Sequence, residues 1–286
     1  RTRYAPSPTG EFHLGGLRTT LYAWLYARHH RGVFYLRIED TDRVRFVDGS
    51  ADRMLVTLRH LGLTWNEGPD IGGPYGPYIQ SERRERYHAA AQTLLEQGNA
   101  YRCDCSSQRL QELRDAQVAA EQPTRYDGHC RTRSDVDPRQ PHVVRFRIPI
   151  QSISPPLQEG EREGERSALT MKDIIHGDIT VDLATLDDFV LLKSDGYPTY
   201  HLAHVVDDHA MMTSHVIRGD EWLPSLPKHV LLFRVFGWEP PQYAHLPLLL
   251  SAQHKKLSKR DGDTDVASFL RWCLPAALIN FIALLG

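Results

Sequence analysis

Strand-like and helix-like segments alternate through the first hundred residues, break off, and resume near residue 188. This pattern constrains the fold most, because strands separated by helices can close only into a parallel sheet with helical crossovers. Leu17, Leu21, Trp24 and Leu25 recur at helical spacing directly after Gly15 and Gly16. Val33 to Ile38 reads as a short buried strand. Ser50 is placed to cap a helix carrying Met54, Leu55, Leu58 and Leu61, with Gly62 as its stop. Ser81 to Glu96 reads as a further helix. Beyond the break, Phe189 to Leu192, His215 to Arg218 and Leu246 to Leu250 read as strands. Leu226 to Phe236 and Pro275 to Leu285 read as helices.

Between Tyr101 and Asp187 the texture is different: cysteines, prolines and charge runs dominate. Gln158 to Arg166, after Pro155 and Pro156, reads as an exposed loop. Strand-like pieces at Val143 to Ile148 and Ile174 to Val181 flank it. The expected organisation is an α/β domain with a parallel sheet in two halves, residues 1–100 and 188–250. An insertion over 101–187 with its own small α+β core divides them, and residues 251–286 hold a basic loop and an apolar helix. At 286 residues and 41% hydrophobic the chain can bury such cores. No run of about 18 apolar residues occurs and no basic-then-apolar leader opens the chain, so a membrane span or secretory signal is not expected. Four cysteines are few for a disulfide framework and fit a reducing compartment. A net charge of −2 neither demands nor excludes an RNA partner.

Two short motifs carry chemistry. If a strand ends near Ala5 and a helix begins near Gly15, the helix N–H groups face outward at His13-Leu14-Gly15-Gly16 and attract phosphate. The glycines permit close backbone approach, and His13 is suited to donate to a phosphate oxygen. Taken alone, the four residues also read as a glycine-containing turn with an incidental histidine. Lys256-Leu257-Ser258-Lys259-Arg260 puts three cations within five residues. Such charge suits the β- and γ-phosphates of a triphosphate whose leaving pyrophosphate gains charge. Taken alone, it also reads as a solvated basic loop.

Longer segments decide between these readings. Arg1 to Gly10, Leu36 to Arg43, Gly72 to Tyr78, Lys193 to Ala203, Val205 to His209 and His215 to Leu223 resemble bacterial-type glutamyl-tRNA synthetases, of class I. The resemblance spans nearly the whole chain and is weakest over about 131–170. It implies a Rossmann catalytic domain split by an acceptor-stem-binding insertion, with the start of a helical stem-contact domain within residues 251–286. It implies formation of glutamyl-adenylate from L-glutamate and ATP with Mg2+, then transfer to the terminal adenosine of tRNA-Glu, in a cytoplasmic monomer with no membrane association. By motif position, His13, Lys256 and Lys259 are the implied catalytic residues. Pro6, Ser7, Thr9, Gly10, Gly15, Gly16, Leu248, Leu257, Ser258 and Arg260 join them around ATP. The implied glutamate pocket is Arg3, Ser7, Glu39, Tyr200, His204, Arg218 and Trp222. Arg218 is the choice for the side-chain carboxylate, which a guanidinium can hold with two parallel hydrogen bonds. Glu39 is the choice for the ammonium group. Read without the family, Arg218 and Glu39 could instead be a structural ion pair. Many relatives carry Asn where this chain has His204, which weakens that assignment.

Cys103, Cys105 and Cys130 are similar to the zinc ligands of some members of the family. Three thiolates with one N or O ligand make a tetrahedral structural site, with Tyr126 or His129 as the fourth. Three free thiols in a reducing compartment are the other reading. Arginines such as Arg83, Arg109 and Arg131 could contact an RNA backbone. A short relative that attaches glutamate to queuosine in tRNA-Asp is the alternative function, and a non-catalytic tRNA-binding relative is the third.

Overall fold

The computed structural model describes residues 1–149, 168–250 and 265–285. From the N-terminus, β1 (Thr2–Tyr4) leads through a turn into α1 (Leu14–His29), which returns to β2 (Phe34–Leu36). α2 (Ser50–His60) follows, then a 3₁₀ turn at Gln80–Arg83 and α3 (Arg84–Glu96). β3 (Ala100–Cys103), α4 (Ser107–Ala119) and β4 (Val143–Phe146) come next, then a hairpin of β5 (Ala168–Asp173) and β6 (Gly177–Asp182). β7 (Val190–Leu192), α5 (Tyr200–Ala210), β8 (His215–Gly219), α6 (Leu226–Val235) and β9 (Gln242–Leu246) complete the second half. α7 (Val266–Phe269) and α8 (Pro275–Ala283) stand last.

The expected parallel pairings are present. β1 pairs with β2, Thr2 opposite Phe34, and β8 pairs with β9, His215 opposite Gln242. The amides of Ser214 and His215 donate to the Arg1 carbonyl at 3.0 and 3.2 Å, which sets β1 beside β8. The order β2, β1, β8, β9 therefore grows outward in both directions from the junction of β1 and β8. Helices on opposite sides of such a junction leave a crevice at the carboxyl ends of the strands.

Two apolar cores hold this frame. One joins Leu17 and Leu21 of α1, Leu36 of β2, Leu55 and Leu58 of α2, Ile217 of β8 and Ile282 of α8. Each such side chain contributes about 1.5–3 kcal/mol when fully buried. The other joins Leu94 of α3, Phe146 of β4, Met171 of β5, Leu191 of β7, Leu202 and Val205 of α5, and Leu231 of α6.

Three details differ from the sequence expectations. Gly49, at φ +68°, occupies the cap position of α2, and Ser50 is its first helical residue, donating its hydroxyl to the Gly10 carbonyl at 2.5 Å. The strand expected at Leu246 to Leu250 lies earlier, in β9. Its signal was broken by His245, a polar residue buried completely beside Asp173. The expected insertion strand at Ile174 to Val181 begins in a turn, and the hairpin of β5 and β6 joins the main sheet through Asp173 opposite Tyr243. β5 buries Leu169 and Met171 alternately with exposed residues, and the second core covers that face. Among the described residues of this region, Tyr101, Cys103, Tyr126 and Cys130 form a separate small cluster. The loop expected at Gln158 to Arg166 lies outside the described residues.

Among the described residues no helix is long and apolar enough to cross a membrane.

Candidate active site

A cavity of about 460 Å³ opens where β1, β2 and β8 end. Its floor and one wall come from the turn after β1: Pro6, Ser7, Thr9, Gly10, His13, Gly15 and Gly16 all line it. Opposite stand Arg3, Glu39, Tyr200, Arg218 and Trp222. The turn and the charged residues, expected from separate stretches of sequence, thus meet in one place.

The turn is locally determined. His13 is the N-cap of α1, and its Nδ1 accepts from the Gly16 amide at 3.2 Å. One helix N–H is therefore capped by the side chain expected at the phosphate. An imidazole accepting at Nδ1 carries its proton on Nε2 when neutral. Gly16 is required by packing: an added Cβ would stand 2.7 Å from the Tyr4 hydroxyl and 3.0 Å from the Phe12 ring. The chain also returns here after residue 264, since the Val266 amide donates to the Phe12 carbonyl at 2.7 Å and Asp265 bridges to His13. Lys256, Leu257, Ser258, Lys259 and Arg260 lie outside the described residues. Leu248 is half-buried beyond β9 and is not among the lining residues.

The charged wall rests on a buried ionic layer. Arg37 NH2 donates to Glu39 Oε1 at 2.9 Å and its NH1 to Asp208 Oδ1 at 2.6 Å. Arg3 Nε faces the same Asp208 carboxylate at 3.3 Å. Burial works against the charge of Asp208, but Arg3 and Arg37 outweigh it and hold its carboxyl below the usual range. Burial raises the Glu39 carboxyl, against the pull of Arg37 and Arg3. Arg218 is not paired with Glu39. It reaches His245, His229, the Tyr200 hydroxyl and the Trp222 carbonyl, so the structural ion pair considered from sequence is not formed. The Tyr200 and Trp222 rings pack 4.2 Å apart between centroids and close one side of the pocket.

His204 is not a lining residue. It is fully buried, its Nδ1 near Arg3 at 3.4 Å and Nε2 near the Tyr243 hydroxyl at 3.3 Å. Sequence reasoning missed the residues behind the wall: Arg37, Asp208, His229, His245 and Asp173. A signal was available for Asp208, which stands four residues after His204 and so on the same face of a helix.

The cysteines converge elsewhere. The Sγ atoms of Cys103, Cys105 and Cys130 lie within 4.8 Å of one another, with Cys105 and Cys130 3.5 Å apart. Ligands at about 2.3 Å around a tetrahedral zinc would stand about 3.8 Å apart, so the trio fits a metal with little movement. The Tyr126 hydroxyl lies 3.4 and 3.7 Å from the Sγ atoms of Cys103 and Cys105 and accepts from the Cys130 amide at 2.9 Å. His129 is exposed and outside the group.

A parallel sheet with its crevice at the strand ends, lined by a histidine-and-glycine turn and a buried arginine, defines a class I synthetase catalytic fold. The chain belongs to the class I tRNA synthetases (E and Q), catalytic domain, whose family model matches residues 1–286. It is 50% identical over 287 residues to a glutamate–tRNA ligase of Dehalococcoides mccartyi, covering all of this chain and 56% of the relative. It is 47% identical over 300 residues to one of Alkaliphilus metalliredigens, covering all of this chain and 58% of that protein. A crystal structure of a glutamate tRNA ligase from Elizabethkingia meningosepticum in complex with its amino acid superposes with a TM-score of 0.87 at 40% identity, covering 100% of this chain and 60% of the other. The chain thus spans little more than half the length of the relatives it matches.

Proposed function

We propose that this chain is the catalytic part of a glutamate–tRNA ligase. It would activate L-glutamate with ATP and Mg2+ and pass the glutamyl group to the terminal adenosine of tRNA-Glu, in the cytoplasm. One observation carries the reading: the phosphate-type turn at His13 to Gly16 and the dicarboxylate-type pocket at Arg218 share a single cavity. Arg218 takes the γ-carboxylate, Glu39 the ammonium group, and Ser7 and Tyr200 supply neutral hydrogen bonds. The glutamate α-carboxylate then attacks the α-phosphorus and pyrophosphate leaves, with charge met by the start of α1, His13, Lys256 and Lys259. The return of the chain at Asp265 beside His13 supports a shared nucleotide for the two motifs. Whole-chain similarity to glutamate–tRNA ligases favours this over attachment of glutamate to queuosine. The insertion at 101–187 is proposed to receive the acceptor stem, as a lobe built onto the main core.

The test is pyrophosphate exchange with L-glutamate and L-glutamine, with tRNA present. Arg218→Ala should cut the preference for glutamate by about 10- to 100-fold, the worth of a lost charge-assisted hydrogen bond. Unaltered discrimination would mean that the pocket is misassigned.

For the cysteines we propose a structural Zn2+ held by Cys103, Cys105, Cys130 and Tyr126. It would pin β3 to the loop at Tyr126–Cys130 and take no part in the chemistry. Elemental analysis should find about one zinc per chain, as expected of a closed site of this ligand type. Cys130→Ser should lose the metal and lower the melting temperature. A metal-free protein whose melting is indifferent to chelator would refute the assignment.

A further inference from the structure

Arg218 is buried, yet among the described residues no acceptor around its guanidinium carries a full negative charge. Nε donates to Nε2 of His245 at 2.9 Å. NH1 donates to Nδ1 of His229 at 3.1 Å and to the Tyr200 hydroxyl at 3.2 Å, and NH2 reaches the Trp222 carbonyl at 3.4 Å. Among the described residues no carboxylate lies within ion-pair distance of it. The neighbouring buried arginines are arranged otherwise: Arg3 faces Asp208, Arg37 faces Glu39 and Asp208, and Arg83 faces Asp207.

An arginine offers five N–H donors and no acceptor, and it stays charged. A ring nitrogen that accepts from it must therefore present a lone pair. That requirement propagates outward through both imidazoles. With Nε2 of His245 accepting, its proton sits on Nδ1 and goes to Asp173 Oδ2 at 2.7 Å. With Nδ1 of His229 accepting, its proton sits on Nε2, facing Nδ1 of His201 at 3.2 Å. Each ring is locked in its tautomer by the partner on its far side. Burial first, and then the charge of Arg218, keep His245 below the usual histidine range. Burial keeps His229 well below it, with His204 and Arg218 adding to the effect.

We propose that His229 and His245 are positioning residues that hold the Arg218 guanidinium as neutral acceptors, leaving its charge for an anionic ligand side chain and so rejecting a neutral amide. This rests on the reading of Arg218 as the partner of the γ-carboxylate. A carboxylate at either place would grip the guanidinium as firmly. It would also cancel the charge that selects the ligand. Asp173 stands one imidazole away and acts on the tautomer of His245. A glutamine side chain entering this pocket leaves a desolvated cation without a counter-charge, which is the costly case for a buried ion.

Calorimetric titration of the chain with L-glutamate and L-glutamine separates the possibilities, with melting curves to verify folding. His229→Leu removes the acceptor at similar volume and should weaken glutamate binding by about tenfold while hardly changing glutamine. His229→Asn keeps an acceptor near the Nδ1 position, and His245→Gln keeps one near Nε2. Both should stay within about threefold of the parent, less than the loss of one net hydrogen bond. His229→Glu should erase the preference for glutamate. If His229→Leu does not fold, the contrast between His229→Asn and His229→Glu decides. If Arg218→Ala abolishes the preference but His229→Glu retains it, the positioning role is overturned and the pocket stands. If Arg218→Ala retains it, the pocket reading fails and the positioning role falls with it.

Discussion

Replacing Asp207 with alanine should cost the fold about 3–5 kcal/mol, the usual penalty for removing one partner of a buried ionic cluster. Asp207 lies on α5 and is completely buried. Its carboxylate accepts from Arg83 Nε at 2.7 Å, Gln80 Nε2 at 2.8 Å and the Tyr87 hydroxyl at 2.8 Å. Arg83 also donates to the carbonyls of Tyr75 and Pro77 at 3.0 and 2.9 Å. One carboxylate thus fastens α5 to α3 and to the loop before it. Its loss leaves a buried guanidinium without its counter-charge, and an amide and a phenol without this acceptor. Domains of this kind hold only about 5–15 kcal/mol in total, so the variant should be near its unfolding threshold at ambient temperature. Urea titration followed by circular dichroism reads the effect. Asp137→Ala, which breaks an exposed pair with Arg139, should leave the midpoint where it is. Equal midpoints for the two variants would show that the cluster around Asp207 contributes nothing.

That cluster marks where sequence reading stops. Val205 to His209 was legible as a family motif, but nothing in it tells which of Asp207 and Asp208 faces which arginine. The structure divides their hydrogen bonds: Asp207 accepts on the α3 side and only flanks Arg37 at 3.7 Å, whereas Asp208 accepts from Arg3 and Arg37 beneath the pocket. Helices such as α1 and strands such as β8 were readable because apolar spacing alone sets them. The lining residues Arg3, Glu39, Tyr200 and Arg218 were readable because each sits in a long motif at the end of an element. Partners such as His229 and His245 were not, because a buried polar residue gives no periodic signal and in β9 it erases one. The placement of β5 was hidden for a related reason: its alternating pattern fits any apolar surface, and only three-dimensional packing chose the main core over a separate one.

Lowering the pH from 7.5 to 5.5 should remove about 3 kcal/mol of stability, through two histidines alone. His204 and His229 are both completely buried. Burial is the main cause that holds each well below the ordinary histidine range. The cations Arg218, Arg3 and Arg37 add to it at His204, and His204 and Arg218 add to it at His229. Tyr200 and Tyr243 face these rings as neutral groups, and Asp208, 3.2 Å from His204, is already shared by Arg3 and Arg37. In the unfolded chain the same histidines take up a proton near pH 6.5. Below that value the unfolded state binds protons that the folded state refuses, so stability falls as the pH drops and is restored above it. Each group approaches a slope of about 1.4 kcal/mol per pH unit only at the acid end and averages about half of that across the window, so the two together lose about 3 kcal/mol. His201, pushed down to about 3 mainly by burial, adds in the same direction, though it is partly exposed and adds less. Of the carboxylates beside them, Asp208 is held below its ordinary range by Arg3 and Arg37 against its burial, whereas Glu39, raised by burial, acts in the opposite direction to the histidines. Urea midpoints at pH 7.5, 6.5 and 5.5 test the claim, and His229→Asn should flatten the slope by about half. A midpoint that is constant or rises on acidification would mean that these imidazoles are solvated or charged in the folded protein, and that Arg218 is held by something other than neutral rings.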